Sequence, residues 1–308
     1  MSNTHFSPDH SVKRLPTLAL VLFLSTSGCA GIATGVLADA LSGPGTLGRD
    51  DDPELVRDAA PFGLKTMESV LESQPRHLGL LTSLTSGFAQ YAYAFVQQDA
   101  DVAELAGHNA DAKVKRDRAR KLLLRARDYG LRGLDVHAPG ISAKLRSMRD
   151  LKEACATLNK DALPLVYWTA ASWALAISNG KEDMGLIAEL PAPEALMNRA
   201  LELDESWGAG AVHEFFVSFE AAKPGGTEAG AKKQLDRSLE LSHGLHLGVL
   251  VSWAEGPLVA SQKREEFEKV LKQVLAADAN ASLDDRLANT IAQRRAKLLL
   301  AHADDLFN

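Results

Sequence analysis

From Pro53 onward, apolar residues return every three or four positions, as at Leu55, Ala59 and Phe62 and then Leu64, Met67 and Leu71. That spacing lines one side of a helix, and no alternating run of useful length marks a strand. The pattern predicts helices near 53–73, 76–98, 111–136, 141–158, 161–178, 183–188, 193–204, 208–221, 227–242, 246–260, 264–277 and 284–306. Breaks fall where the chain supplies proline or glycine, at Gln74-Pro75, Ala138-Pro139-Gly140, Asn179-Gly180, Leu190-Pro191-Ala192-Pro193 and Lys223-Pro224-Gly225-Gly226. Asp52 before Pro53 reads as an N-cap followed by the first helical residue. The class is all-α, with about 12 helices joined by short turns.

Internal repetition refines that expectation. The segments NRALELDES (198–206), DRSLELSHG (236–244) and KQVLAADAN (272–280) superpose at Leu201, Leu239 and Leu275, in steps of 38 and 36 residues. These steps bracket the 34-residue tetratricopeptide hairpin, so the reading is a tetratricopeptide-like superhelix with degenerate repeats. An unrelated helical bundle is the alternative. The small residues of GAGAVHEFF (208–216) predict a close approach of two helix backbones.

One predicted helix stands apart. Residues 162–179, ALPLVYWTAASWALAISN, carry no formal charge. A helix apolar all round is buried or membrane-embedded. This one lies at the short end of the spanning range and has an early proline, so a central helix wrapped by others is expected.

The N-terminus has a different pattern. Lys13 and Arg14 precede the apolar run Leu18 to Leu24, and small residues follow up to Gly28-Cys29. This is the layout of a secretory signal. Small residues directly before a cysteine resemble a bacterial lipobox, with Cys29 as the acylated residue and an ordinary small apolar cysteine as the alternative. The predicted division is a signal peptide over 1–28, a Gly-rich tether over 29–52 and a helical domain over 53–308. Ala30 stands where many inner-membrane lipoproteins carry Asp, so the expected location is the periplasmic face of the outer membrane.

Composition narrows the function. The 308 residues are 46 % hydrophobic, enough to bury a full core. Removal of residues 1–28 leaves 32 basic against 39 acidic residues, a net charge of −7, which gives no footprint for nucleic acid. With Cys29 acylated, Cys155 has no partner for an internal disulfide.

Catalytic motifs are near misses. GGTEAGAKK (225–233) lacks the Gly-Lys-Ser/Thr ending of a phosphate loop. GAGAVH (208–213) lacks the third glycine and the preceding strand of a dinucleotide site. His243 and His246 have no third metal ligand nearby, and His213-Glu214 lacks the second histidine of a zinc-protease helix. The reading is of no enzyme, cofactor or metal site. Aromatic residues remain: Phe88, Tyr91 and Phe95 share a face with Tyr93 turned away, and Trp207, Phe215, Phe216, Phe219 and Trp253 recur later. Most such stripes fill cores, while a few can line a groove of a repeat protein.

The segments YWTAASWALAIS (167–178), AELPAPEALMNRALELDESWGAGAVHEFF (188–216), SLELSHG (238–244) and NTIAQRRAKLLLAHADDLF (289–307) resemble the T component of tripartite ATP-independent periplasmic (TRAP) transporters, a tetratricopeptide-like lipoprotein family. The resemblance runs from about Asp52 to the C-terminus. It implies a non-catalytic periplasmic lipoprotein, able to form a homotrimer, that pairs with a periplasmic solute-binding protein. It further implies a cleft that passes a hydrophobic or carboxylate ligand to that partner. Trp168, Trp173, His213, Trp253 and Asn289 are polar-tipped and lie in or beside the matching segments, which makes them the cleft candidates, with core burial open for each. A general scaffold lipoprotein for envelope protein assembly is the rival function.

Overall fold

A computed structural model describes residue 1, residues 47–223 and residues 225–307. Its helices are α1 (Pro53–Ser73), α2 (Leu78–Tyr91), α3 (Gln98–Leu105), α4 (Asn109–His137), α5 (Ile141–Arg146), α6 (Leu151–Ala156), α7 (Leu163–Ser178), α8 (Met184–Ile187), α9 (Pro191–Leu203), α10 (Ala211–Ala222), α11 (Glu228–Leu241), α12 (Leu247–Trp253), α13 (Arg264–Ala276), α14 (Arg286–Ala301) and α15 (Ala303–Leu306). Among the described residues there is no strand, so the all-α class holds. The lipidation candidate Cys29 and the signal segment lie outside the described residues.

The start of α1 is as the sequence predicts. The Asp52 carboxylate accepts from the Glu54 and Leu55 amides, and Pro53 occupies the first turn, where its missing N–H costs nothing. Two predicted helices are redrawn. The helix read over 76–98 continues to Leu105 through a π-helical turn, Ala92–Gln97. The helix read over 141–158 is two short helices, because Met148 (φ 55°) and Asp150 (φ 48°) adopt left-handed backbone. At about 100° per residue, one straight helix would spread Ile141, Leu145, Ala154, Cys155 and Leu158 over about half its circumference. The break gathers all five into one core, at a backbone cost of roughly 1–2 kcal/mol per left-handed residue.

The uncharged segment forms α7, which packs against α2, α4 and α9 and buries residues on every side, including Leu165, Val166, Ala170, Trp173 and Ile177. Among the described residues no helix is long and apolar enough to cross a membrane. Contact between α4 and α7 is close because Gly130 lacks a side chain: a methyl there would lie 2.1 Å from Thr169 Oγ1 and 3.0 Å from Thr85 Cγ2. Gly130→Ala is therefore expected to cost about 1–3 kcal/mol in urea denaturation, the overpacking penalty exceeding the roughly 1 kcal/mol gained in helix propensity. An unchanged midpoint would show that the three helices can separate.

The repeat register has a structural counterpart one face away from the superposed leucines. Met197, Leu235 and Leu271 are buried in α9, α11 and α13, as are Ala200, Ser238 and Val274, in the same steps of 38 and 36. Leu201 and Leu239 are half-buried, and Leu275 is 41 % exposed. The predicted backbone approach at GAGAVHEFF also occurs. Gly210 (φ 93°) sits so that a Cβ would lie 3.2 Å from Ser238 Cα, and α10 starts only after it, at Ala211.

The chain closes on itself. Val56 of α1, Phe95 of the π turn and Ile291 of α14 form a small core joining the first helices to the last. Arg49 pairs with Asp284 at 2.6 Å and Arg294 with Glu54 at 2.6 Å, so the end of the segment read as a tether lies beside the start of α14.

Candidate functional site: an enclosed aromatic and acidic cleft

The interior is not a uniform core. Tyr93 is 40 % exposed to water, yet loss of hydration raises its phenol pKa well above the usual range. Both facts hold for a ring that water reaches while protein is dense around its hydroxyl. Tyr93 lies in the π turn Ala92–Gln97, where one extra residue per turn re-aims side chains away from the regular helical face. Its neighbours Phe88, Ala92, Phe95 and Val96 are buried in the helical stripe, so Tyr93 alone of that turn's aromatics is reached by water.

Four further elements face the same space. Glu255 lies in the second π turn, Ala254–Leu258, Arg295 on α14, and Glu214 on α10, and all three are within electrostatic reach of the Tyr93 hydroxyl. Tyr167 of α7 is within reach of both Glu214 and Tyr93, and burial raises its pKa well above normal. Its ring tilts against Trp207 at 4.6 Å and meets Trp168 edge-on at 5.0 Å. The wall therefore combines aromatic rings with carboxylates.

The charges differ in how they are matched. Arg295 is doubly engaged: Nη1 lies 2.8 Å from Asp101 Oδ2, Nε donates to Glu255 at 3.1 Å, and Nη2 also pairs with Glu255. Asp101 and Arg295 are only 12 % and 11 % exposed. Burial raises the Asp101 pKa, and Arg295 and Arg116 oppose that shift. Glu214 has no such help. Among the described residues its carboxylate makes no hydrogen bond and no ion pair, and its Oε1 rests where a Cβ on Gly248 would come within 2.7 Å. Loss of hydration, with repulsion by Asp285, pushes its pKa up to about 7.

That shift fixes a pH dependence. In the unfolded chain Glu214 titrates at its ordinary value, so as pH rises from about 4.5 to about 7 the unfolded state loses this proton first and the folded state is disfavoured. The full penalty, roughly 3 kcal/mol, is present above pH 7. Glu214→Gln removes it. The variant is expected to gain stability over the parent at pH 8 and to match it near pH 4, read by denaturant melts at both values; an equal gain at both would assign the effect to packing.

Of the sequence-derived candidates, Trp173, Trp253, Asn289 and His213 make their polar or core contacts outside this cluster, and Trp168 adjoins it. Trp173 is fully buried, its Nε1 donating to Glu189 at 2.7 Å and its ring facing the Arg127 guanidinium at 5.2 Å. Trp253 lies in the C-terminal core at 2 % exposure. Asn289 is a buried clamp: its Oδ1 accepts from the Leu247 amide and its Nδ2 donates to the Leu245 carbonyl, both at 3.0 Å, which fixes the start of α12. Trp168 is half-buried and reaches the cleft through Tyr167. His213 faces away from Glu214, donating from Nδ1 to Gln234 at 2.7 Å under a surface groove shared with Glu205 and Arg237.

Sequence reasoning missed Tyr167, Glu214, Glu255 and Arg295. A signal existed for two of them: Glu214 interrupts AVHEFFVSF and Glu255 interrupts VLVSWAEGPL, each the lone acid in an apolar stretch. An acid so placed must keep contact with water, find a partner, or give up its charge. Among the described residues no group of three or more metal-ligating side chains gathers, and His246 Nε2 lies 3.5 Å from Asp285.

Comparison with known proteins agrees with the resemblance drawn from the sequence. An uncharacterized protein of Treponema pallidum (strain Nichols) is 27 % identical over 266 residues, covering 84 % of this chain and 81 % of its own length. The TRAP transporter T-component family matches residues 49–307, which takes in every helix from α1 to α15 and each residue of the cleft. The chain belongs to the TRAP transporter T-component family, and with it to the accessory components of these transporters.

Proposed function

We propose that this chain is a periplasmic lipoprotein that pairs with the solute-binding protein of a TRAP transporter and holds that transporter's ligand, or passes it on, through the cleft between Tyr93, Tyr167, Glu214 and Glu255. The carrying observation is the dehydrated Glu214 carboxylate, which among the described residues has no hydrogen bond and no ion pair, in electrostatic reach of Tyr93 and Tyr167. A folded core gains nothing from leaving Glu214 unpaired, whereas a binding site keeps such a group for its ligand. The family supports the transport context. The charged run, apolar run and Gly28-Cys29 support export and a lipid anchor. Anchoring would raise the local concentration of partner and ligand at one surface, and the outer membrane is the surface the Ala30 position favours.

The test is affinity capture of the tagged full-length protein from its own periplasm, with the co-eluting protein and small molecules identified by mass spectrometry, alongside palmitate labelling of the parent and Cys29→Ser. A solute-binding protein in the eluate and label lost in the variant are the expected results. Co-elution of outer-membrane assembly machinery instead, or label retained without Cys29, would overturn the proposal. Size-exclusion with light scattering reads the subunit number, for which a trimer is expected.

A further inference from the structure

Helices α1 and α4 together build an exposed face that mixes apolar tips with cations. Arg125 Nε lies 2.5 Å from Glu68 Oε1, and Arg132 Nη2 donates to the Pro75 carbonyl at 3.1 Å. Both contacts join residues 57 apart in sequence, so the two helices run parallel, each packed on α2. At the other end both reach α3, through Arg57 to Asp99 and Arg116 to Asp101. In that register Phe62 is level with Ala119, between Arg118 and Lys121.

Each helix leaves one stripe uncovered. On α1, Leu55, Ala59 and Phe62 recur at the spacing of one helical side and all are exposed, Phe62 at 79 %. On α4, Val114, Arg118, Lys121 and Arg125 recur in the same way, with Val114 69 % exposed. Among the described residues Arg118 and Lys121 make no ion pair, and Glu68 is shared between Lys65 and Arg125. The exposed acids of α1 are Glu54, which Arg294 takes, and Asp58 and Glu72. This face therefore carries an excess of positive charge on a chain whose net charge is −6. Apolar tips set singly among cations form no groove for a folded partner, but they suit a head-group layer, where rings and aliphatic tips sink in and cations meet phosphates. The chain before α1 supplies the reach: residues 30–46 separate Cys29 from Leu47, at most about 60 Å when fully extended. Resting on the lipid-anchor reading above, we propose that the α1–α4 face docks on the anionic phospholipid surface that holds the anchor. Leu55, Phe62 and Val114 enter the head-group layer, and Arg118 and Lys121 pair with lipid phosphates.

The test places a nitroxide at Phe62→Cys, or at Glu265→Cys of α13 as control, in the full-length chain carrying Cys29→Ser; Cys155 is buried away from the label. Spin-label accessibility is read with vesicles of phosphatidylcholine, with and without phosphatidylglycerol. On the phosphatidylglycerol vesicles, access of a water-borne nickel chelate to the residue-62 label is expected to fall at least about threefold, with the residue-265 label unchanged. Both labelled chains keep the same apolar N-terminal run, so their difference reports the face and not the tether. Arg118→Gln with Lys121→Gln is expected to lower the docking equilibrium about tenfold or more. A residue-62 label that stays in water on vesicle-bound chain overturns the inference, and so does one already shielded without lipid, by a second copy or by a captured protein. Palmitate labelling of the parent keeps the two readings apart: label at Cys29 with residue 62 in water leaves the anchor and removes the docking, whereas residue 62 docked without palmitate label leaves the docking and removes the anchor.

Discussion

Trp173→Ala is expected to lower stability by about 3–5 kcal/mol, measured by urea and thermal denaturation of the purified protein. The side chain is fully buried on α7, and its removal would leave a cavity between helices already held apart by side chains on every face. Two polar groups would suffer as well. Glu189 Oε2 accepts from Trp173 Nε1 at 2.7 Å and from Arg127 Nη1 at 3.1 Å, and the Arg127 guanidinium lies 5.2 Å from the indole ring. Trp173→Phe separates the contributions: it keeps most of the volume but loses the donor, and a loss of about 1–2 kcal/mol is expected. Equal losses in the two variants would place the whole effect in the hydrogen bond.

The second large effect is expected at Arg295. Arg295→Ala removes the cation that serves both Asp101 and Glu255; Arg295 and Asp101 are sheltered from water, whereas the Glu255 side chain is 40 % exposed. Breaking a buried pair costs about 3–5 kcal/mol, and because Arg116 Nη2 stays 2.9 Å from Asp101 Oδ1 the loss is expected toward the lower end of that range. Burial already raises the Asp101 pKa while Arg295 holds it down, so the variant should raise it further. The loss should accordingly grow as pH rises through the carboxylate range and shrink at low pH, where Asp101 protonates in both folded and unfolded states. Arg295→Lys keeps the charge but not the planar fork that spans two acids, and partial rescue is expected. A loss independent of pH would refute the electrostatic account.

These two residues mark different limits of sequence reading. The sequence makes Trp173 a cleft candidate, because it has a polar tip and lies in a family-like segment. The tip is satisfied internally by Glu189, an acid sixteen positions away whose approach depends on how α8 and α9 return to α7. Arg295 sits in NTIAQRRAKLLLAHADDLF beside another arginine, Arg294, with nothing local to tell them apart. Arg294 reaches outward to Glu54, while Arg295 reaches inward to Asp101 and Glu255. Adjacent helical residues point about 100° apart, so which one faces in depends on how α14 is rotated against α3 and the second π turn.

The all-α class, the cap at Asp52-Pro53, the central uncharged helix and the 38- and 36-residue register were legible in the chain, because each rests on local periodicity or local backbone preference. Two helices escaped that logic: the left-handed residues Met148 and Asp150 carry no sequence mark, and π turns keep apolar spacing close enough to helical that the pattern passes through them. The cleft was decided by tertiary structure alone. Tyr93, Tyr167, Glu214, Glu255 and Arg295 come from five separate elements, and only the tertiary packing of those elements brings them within reach of one another. Dehydration of a carboxylate is a property of everything around it, which no short stretch of sequence contains.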